Sequence, residues 1–409
     1  MRAAALLSAV GWAGASAQTI LPPERGAELF GRGSLGVLKC EVRQLPPVLD
    51  FSFRFRAGYT VSVPLNQFQG AGHRWFMMVR LQPGAAGQPV YFVARVHLPD
   101  VPSTRTSGEA GGGYLLGEGW YRASFLLRDD QGRACRADWN IEARLGAADR
   151  NVKLAIEPET AAEISLRGRQ PAGSPIDAPL GRLTVLLHAA PTSPRRSTIQ
   201  ASDAVTLLGA LSSLLDLAPA ASVRLVVFNL DRQKEIYRQE RFTPDRLENV
   251  RQAMFDLQLG VVDYQTLQHP EGRVELLERL VNGELAVENR SDAVVFLGPH
   301  GRTADKGAME MGNRGTGAPK FFYVEYQRPE TLATAMGRGP GRTGRYRTQN
   351  DIPYGPDSLE VLWTSENPFL PDPVRDTIGR LVAGLKGKTL VVRTPGEFAK
   401  AMKQIASAK

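Results

Sequence analysis

Leu183-Thr-Val-Leu-Leu187 carries no Gly, Pro or charge, and similar runs recur as Val223-Arg-Leu-Val-Val-Phe228, Ala293-Val-Val-Phe-Leu297, Phe321-Phe-Tyr-Val-Glu325 and Thr389-Leu-Val-Val392. Continuous apolar runs of this length read as strands buried on both faces, the pattern of a parallel sheet covered by helices. Helical patterns fall between them. Ser202 is placed to cap a helix that puts Val205, Leu208, Leu211 and Leu215 on one face. Thr243-Pro244 opens another through Leu257 with Pro at its first position, and further helices are expected over Gly272–Leu285, Asp376–Leu385 and Pro395–Ile405. Lys234–Arg241 is short enough to return antiparallel beside the second run. This order of elements predicts a doubly wound α/β domain over residues 182–409.

Upstream the pattern changes to short β-branched and aromatic runs: Val37–Val42, Phe51–Phe55, Tyr59–Val63, Trp75–Leu81, Val90–Leu98, Tyr121–Leu127 and Ala134–Ile141. Turn residues separate them, most clearly Asp129-Asp-Gln-Gly132, so residues 37–146 are expected to form an antiparallel β-sandwich. Gly119-Trp-Tyr121 at a strand start resembles the tyrosine corner of immunoglobulin-like sandwiches. Residues 18–36 lack periodicity and read as a flexible tail. Residues 147–181, with one strand-like stretch at Val152–Ile156 and a Pro-, Gly- and Ser-rich remainder, read as the linker between the two domains.

Met1–Ala17 has one positive charge at Arg2, an apolar run from Ala3 to Ala15 and Ala15-Ser-Ala17 as a small-residue cleavage site, the pattern of a secretory signal peptide. No later apolar run approaches the about 20 residues of a transmembrane helix. An exported chain is therefore expected, periplasmic, cell-surface or extracellular, with no membrane span after cleavage. In such a compartment Cys40 and Cys135, the only cysteines, are expected to pair. Fifty Lys and Arg against 42 Asp and Glu make the chain basic and draw it toward anionic envelope components. Export argues against a nucleic-acid partner.

The runs Leu183–Leu187, Val223–Phe228 with its return strand, Ala293–Leu297, and the ending Leu385-Lys-Gly-Lys-Thr-Leu-Val-Val-Arg-Thr-Pro-Gly-Glu-Phe398 resemble the von Willebrand factor A-like domain, in particular exported bacterial von Willebrand factor A-related proteins. The resemblance covers about 182–406 and rests on element order more than on a motif. It implies a divalent cation at the C-terminal edge of the sheet, held by Asp-x-Ser-x-Ser after the first strand, a Thr, and an Asp after the fourth. This chain has His188-Ala-Ala-Pro-Thr192 at the first place and Gly298-Pro-His300 at the second. With two carboxylates missing from an oxygen-rich ligand set, no magnesium-type site and no cofactor are expected. His188 and His300 should emerge side by side, and with Asp305 or Glu325 they form the one arrangement that would suit zinc, although paired histidines without a motif are more often satisfied rim residues.

The candidate binding residues are therefore His188, Thr192, Ser193 and His300 at the sheet edge. A second candidate is the Gly-rich loop 337–347, whose Arg338, Arg342, Arg345 and Arg347 would seek an anion, unless the loop is merely solvated. Gly387-Lys-Thr389 lacks the leading Gly of a phosphate loop and precedes a strand, and the dinucleotide-like spacing of Gly339–Gly344 follows no strand. No catalytic nucleophile with its base is visible locally. The leading expectation is a non-enzymatic exported interaction module that binds a protein or an anionic envelope component without a metal bridge. A hydrolase or other enzyme using the sheet-edge crevice and a structural subunit of an envelope assembly are the alternatives.

Overall fold

The computed structural model describes residues 18–68, 70–84, 87–101, 106–164, 178–192, 198–257, 266, 268–269, 271–286, 290–301, 309–312, 315, 317–327 and 376–408. Residues 1–17, expected to be a signal peptide, Ser193, Asp305 and the arginines of loop 337–347 lie outside them. The chain is β-rich, with three sheets and several helices, and divides into two compact units, Met1–Ser165 and Leu166–Lys409.

The first unit contains β1 (Thr19–Leu21), α1 (Pro23–Gly31), β2 (Gly36–Val37), β3 (Glu41–Leu49), β4 (Phe55–Pro64), β5 (Arg74–Pro83), β6 (Val90–His97), β7 (Ser107–Leu116), β8 (Gly119–Asp129), β9 (Arg133–Ala143) and β10 (Ala161–Ala162). They form a six-stranded sheet, β1-β6-β5-β8-β9-β2, and a four-stranded sheet, β10-β7-β4-β3. Tyr59, Val61 and Tyr114 from the smaller sheet share one buried cluster with Trp75, Phe92 and Phe125 from the larger, so the two sheets form a sandwich. Alternation along each strand supplies that core.

Several expectations are corrected here. Val37–Val42 is not one strand: Val37 ends β2 in one sheet and Glu41 begins β3 in the other, with Leu38 buried at the crossing. Phe51–Arg54 is a turn in which the Asp50 carboxylate accepts from Ser52 N at 2.9 Å and pairs with buried Arg56 at 3.0 Å, so the strand starts only at Phe55. Residues 18–36 are ordered, because Leu21, Leu29 and Phe30 cover an apolar cluster of Met78, Tyr91, Val93 and Leu126 on the outer face of the larger sheet. Val152–Ile156 forms no strand; Leu154 packs on the sandwich core, Ala155 N donates to Phe53 O at 2.9 Å, and Ala161–Ala162 adds β10 to the smaller sheet. The expected bridge is present, with Cys40 and Cys135 Cα atoms 6.2 Å apart.

The second unit contains β11 (Leu180–His188), α2 (Ala201–Leu217), β12 (Ala220–Asn229), β13 (Lys234–Gln239), α3 (Leu247–Phe255), α4 (Gly272–Leu285), β14 (Ala293–Pro299), β15 (Lys320–Tyr326), α5 (Thr377–Gly384), β16 (Lys388–Val392) and α6 (Pro395–Ala406). The sheet order is β13-β12-β11-β14-β15-β16, parallel except for the edge strand β13. Leu186, Val226, Val294 and Phe321 on one face pack with Leu277 and Leu280 of α4 and Leu381 of α5. Helix α2 instead packs with α3 and α6, so both faces are covered. The chain reverses direction across the sheet between β11 and β14, and their C-terminal ends flank the place where such sheets form a crevice.

Two details refine the expected elements. Helix α2 starts one residue before Ser202; the Asp203 carboxylate reaches back to Gln200 N at 2.9 Å and supplies the cap. At the opposite end of the sheet from the crevice, Arg224 and Glu284, each 3% exposed, pair at 2.6 Å, and Thr184 donates to Glu284 at 2.8 Å. Sequence patterning treats both polar residues as interruptions, whereas the fold pairs them in its interior.

Candidate functional site

The C-terminal ends of β14 and β15 bring His300 and Glu325 together. Gly298 and Glu325 are register partners, so His300, just past β14, lies close to the acidic position one residue from the end of β15. His300 Nδ1 lies 2.8 Å from Glu325 Oε1 and 3.9 Å from Asp376 Oδ2. With Nδ1 facing a carboxylate, it is the nitrogen that carries the proton, which leaves Nε2 for an outside partner. The imidazole is 39% exposed, while the two carboxylates are almost fully buried.

Those carboxylates are held by the fold. Asp376 caps α5, accepting from Gly379 N at 2.7 Å, and accepts also from Gly301 N at 2.5 Å and the Tyr323 hydroxyl at 2.8 Å. Glu325 accepts from Gln327 Nε2 at 2.7 Å, and Gln327 in turn accepts from the Arg393 guanidinium at 2.9 Å. The Glu325 hydrogen bond raises the His300 pKa above its ordinary value, opposed by burial and helped by the Asp376 charge. Burial alone would raise the Glu325 pKa, but hydrogen bonds from His300 and Gln327, with the His300 and Arg393 charges, hold it below the usual range. Burial pushes the Tyr323 hydroxyl well up, so it acts as a donor and not as an anion. A carboxylate-held imidazole of this kind can take or give a proton at Nε2, or present a positive charge to an anionic group.

The other sequence-derived candidates have different surroundings. His188 ends β11 next to β14, as expected, but is buried and stacked on Phe228 of β12, ring centroids 5.3 Å apart. A Cβ at Gly298 would lie 2.8 Å from the His188 Cβ, so glycine is what lets β14 pass so close. The two imidazoles thus engage opposite neighbours, His188 toward β12 and His300 toward β15. Thr192 donates its hydroxyl to Asp203 Oδ1 at 2.5 Å and its amide to the same atom at 3.2 Å, so it ties the loop after β11 to the first turn of α2. Among the described residues no three His, Cys, Asp or Glu side chains are grouped to hold a metal ion.

Asp376, Tyr323, Gln327 and Arg393 were not legible as site residues. Asp376 announces itself only as a helix start, and Tyr323 only as part of an apolar strand. Their meeting with His300 depends on strand order, which local sequence does not encode.

No family model matches the chain, and no curated protein matches it. Solved structures with partial likeness include a superoxide reductase from Archaeoglobus fulgidus, 15% identical over 29% of this chain and 99% of that one, with a TM-score of 0.18. A β-glucosidase from Listeria innocua is 14% identical over 27% of this chain and 17% of that one, with a TM-score of 0.17. A lipoprotein from Bacteroides thetaiotaomicron is 4% identical over 30% of this chain and 92% of that one, with a TM-score of 0.14. Likenesses at this level carry no argument about fold or function.

Proposed function

We propose that the chain is an exported, non-enzymatic interaction module: an immunoglobulin-like sandwich joined to a von Willebrand factor A-like domain that contacts its partner through the C-terminal edge of the α/β sheet without a metal bridge. The observation that carries this is the chemistry of that edge. Thr192 is committed to Asp203, His188 is packed against Phe228, and of the candidate residues described at this edge His300 is the one with a partly exposed polar group, its imidazole held by Glu325. That arrangement suits recognition of an acidic group on a partner. The sheet order with its antiparallel edge strand supports the von Willebrand factor A-like reading. The Tyr121 hydroxyl, bonded back to Gly117 O at 3.0 Å, supports the immunoglobulin-like one. The bridge from Cys40 to Cys135 fits an oxidising compartment.

The His300–Glu325 pair also supports a second reading, an acid–base enzyme of the crevice. Photo-crosslinking separates the two. A crosslinker at Asp231, in the turn after β12 at the same edge of the sheet, should yield a discrete adduct with the envelope fraction of the native cell, and the same label at Arg251 on α3 should not. Equal labelling from both positions, or a hydrolytic activity abolished by His300→Gln, would defeat the binding reading.

A further inference from the structure

Alternation places one face of the six-stranded sheet away from the sandwich core, and its register lines up a row across five strands: Arg95, Phe76, Arg128, Ala134 and Val37. The next row pairs Arg74 with His97. Among the described residues Arg74, Arg95 and Arg136 make no ion pair, while Asp138, an acid on this face, is engaged by Ser124 at 2.6 Å. Arg128 is aimed at the end of α1, donating to Arg32 O at 2.6 Å and Gly33 O at 3.3 Å. Burial lowers its pKa, and the Arg136 and Arg32 charges lower it further, although Arg32 itself pairs with Glu28 at 2.5 Å.

The same margin carries two exposed apolar side chains. Leu35 is 88% and Val37 83% exposed, the highest of the large hydrophobics among the described residues. Val37 is the register partner of Ala134, which lies in the outer-face cluster with Leu126, so Val37 shares the face of the arginines. Leu35, two residues earlier and hydrogen-bonded to Gly132 O, sits at the same edge. A soluble polyanion would satisfy the arginines and leave both apolar side chains in water. An anionic bilayer accommodates both kinds of group.

We propose that the exposed margin of this outer face, beside the part covered by α1, docks on an anionic lipid bilayer, with Arg74 and Arg95 at the headgroups and Leu35 and Val37 in the interface. This surface belongs to the sandwich unit and does not rest on the sheet-edge reading of the α/β unit.

Vesicle flotation of the full chain tests it, with phosphatidylglycerol–phosphatidylcholine vesicles, phosphatidylcholine vesicles and soluble polyglutamate as competitor. All variants share one N-terminus, so its contribution cancels, and near-ultraviolet circular dichroism checks that each is folded. The wild-type chain should float with the anionic vesicles and not with the neutral ones. At about fivefold per arginine, Arg74→Gln with Arg95→Gln should weaken flotation on the order of twentyfold. Leu35→Ser with Val37→Ser should weaken it about tenfold through lost apolar transfer. The proposal is overturned by absent flotation, by equal flotation with neutral vesicles, or by indifference to the arginine pair. It is equally overturned if the Leu35 and Val37 changes have no effect while polyglutamate binds in an arginine-dependent way, for then a soluble polyanion is the occupant.

Discussion

His300 owes its charge state to two carboxylates that the fold buries for other reasons, one as a strand residue and one as a helix cap. Its raised pKa means that protonation stabilises the fold below the ordinary value of 6.5, and that this contribution is lost as pH rises through the raised value. Glu325, lowered from 4.5, contributes above that value and loses its contribution as pH falls through the lowered one. The pair should therefore help most between about pH 4.5 and 6.5. Stability measured against pH should lose this rise in His300→Gln, and an unaltered profile would contradict the pairing. Buried Arg224 gives a second test at this scale. Glu284→Ala removes its buried partner and leaves only the exposed Glu240 carboxylate, 2.7 Å from Arg224 Nε, to balance it, so it should cost about 3 kcal/mol in urea unfolding, with part of the loss recovered when Arg224→Met is added. Residue positions on strands were readable from the sequence, since His300 was expected at the sheet edge. The identity of its partners was only half readable: Glu325 was in view as an oxygen donor for a metal, and Asp376 was not.

At the scale of elements, the strongly periodic or continuous runs matched the structure best. The helix over Gly272–Leu285 has the expected bounds, and Thr394 caps α6 with Glu397 in a capping box directly before Pro395. Strand β7 was invisible because Ser107-Gly-Glu-Ala-Gly-Gly-Gly-Tyr-Leu-Leu116 has the composition of a loop. Its glycines have packing reasons: a Cβ at Gly112 would fall 2.4 Å from the Gln18 amide nitrogen, and one at Gly113 would fall 2.7 Å from Ile164. Gln18 fills that space, donating to the Tyr59 hydroxyl at 3.0 Å and accepting from Gly113 N at 2.8 Å. The supposed tail is folded for a similar non-local reason, with Phe30 lying under Arg80 at 5.1 Å and Arg136 at 5.3 Å. Phe30→Ala should release α1 from the sheet, seen as faster amide exchange over residues 23–31 with strands β5 and β8 still protected. Exchange unchanged in α1 would show that the aromatic anchor is dispensable.

The whole molecule divides into two units stabilised in different ways. The sandwich carries a bridge spanning 95 residues, which in the chain-entropy model stabilises by about 4–5 kcal/mol. The α/β unit contains no cysteine. Scanning calorimetry should therefore show a transition that drops on addition of reductant and another that does not move; two transitions shifting together would mean the units unfold as one.

The most direct measurement of the binding role is hydrogen–deuterium exchange on the full chain with and without a detergent-solubilised envelope fraction. Added protection at 298–301 and 325–327, lost in His300→Gln, is the predicted result. Protection confined to other segments, or none at all, would contradict a partner held at the edge of the α/β sheet.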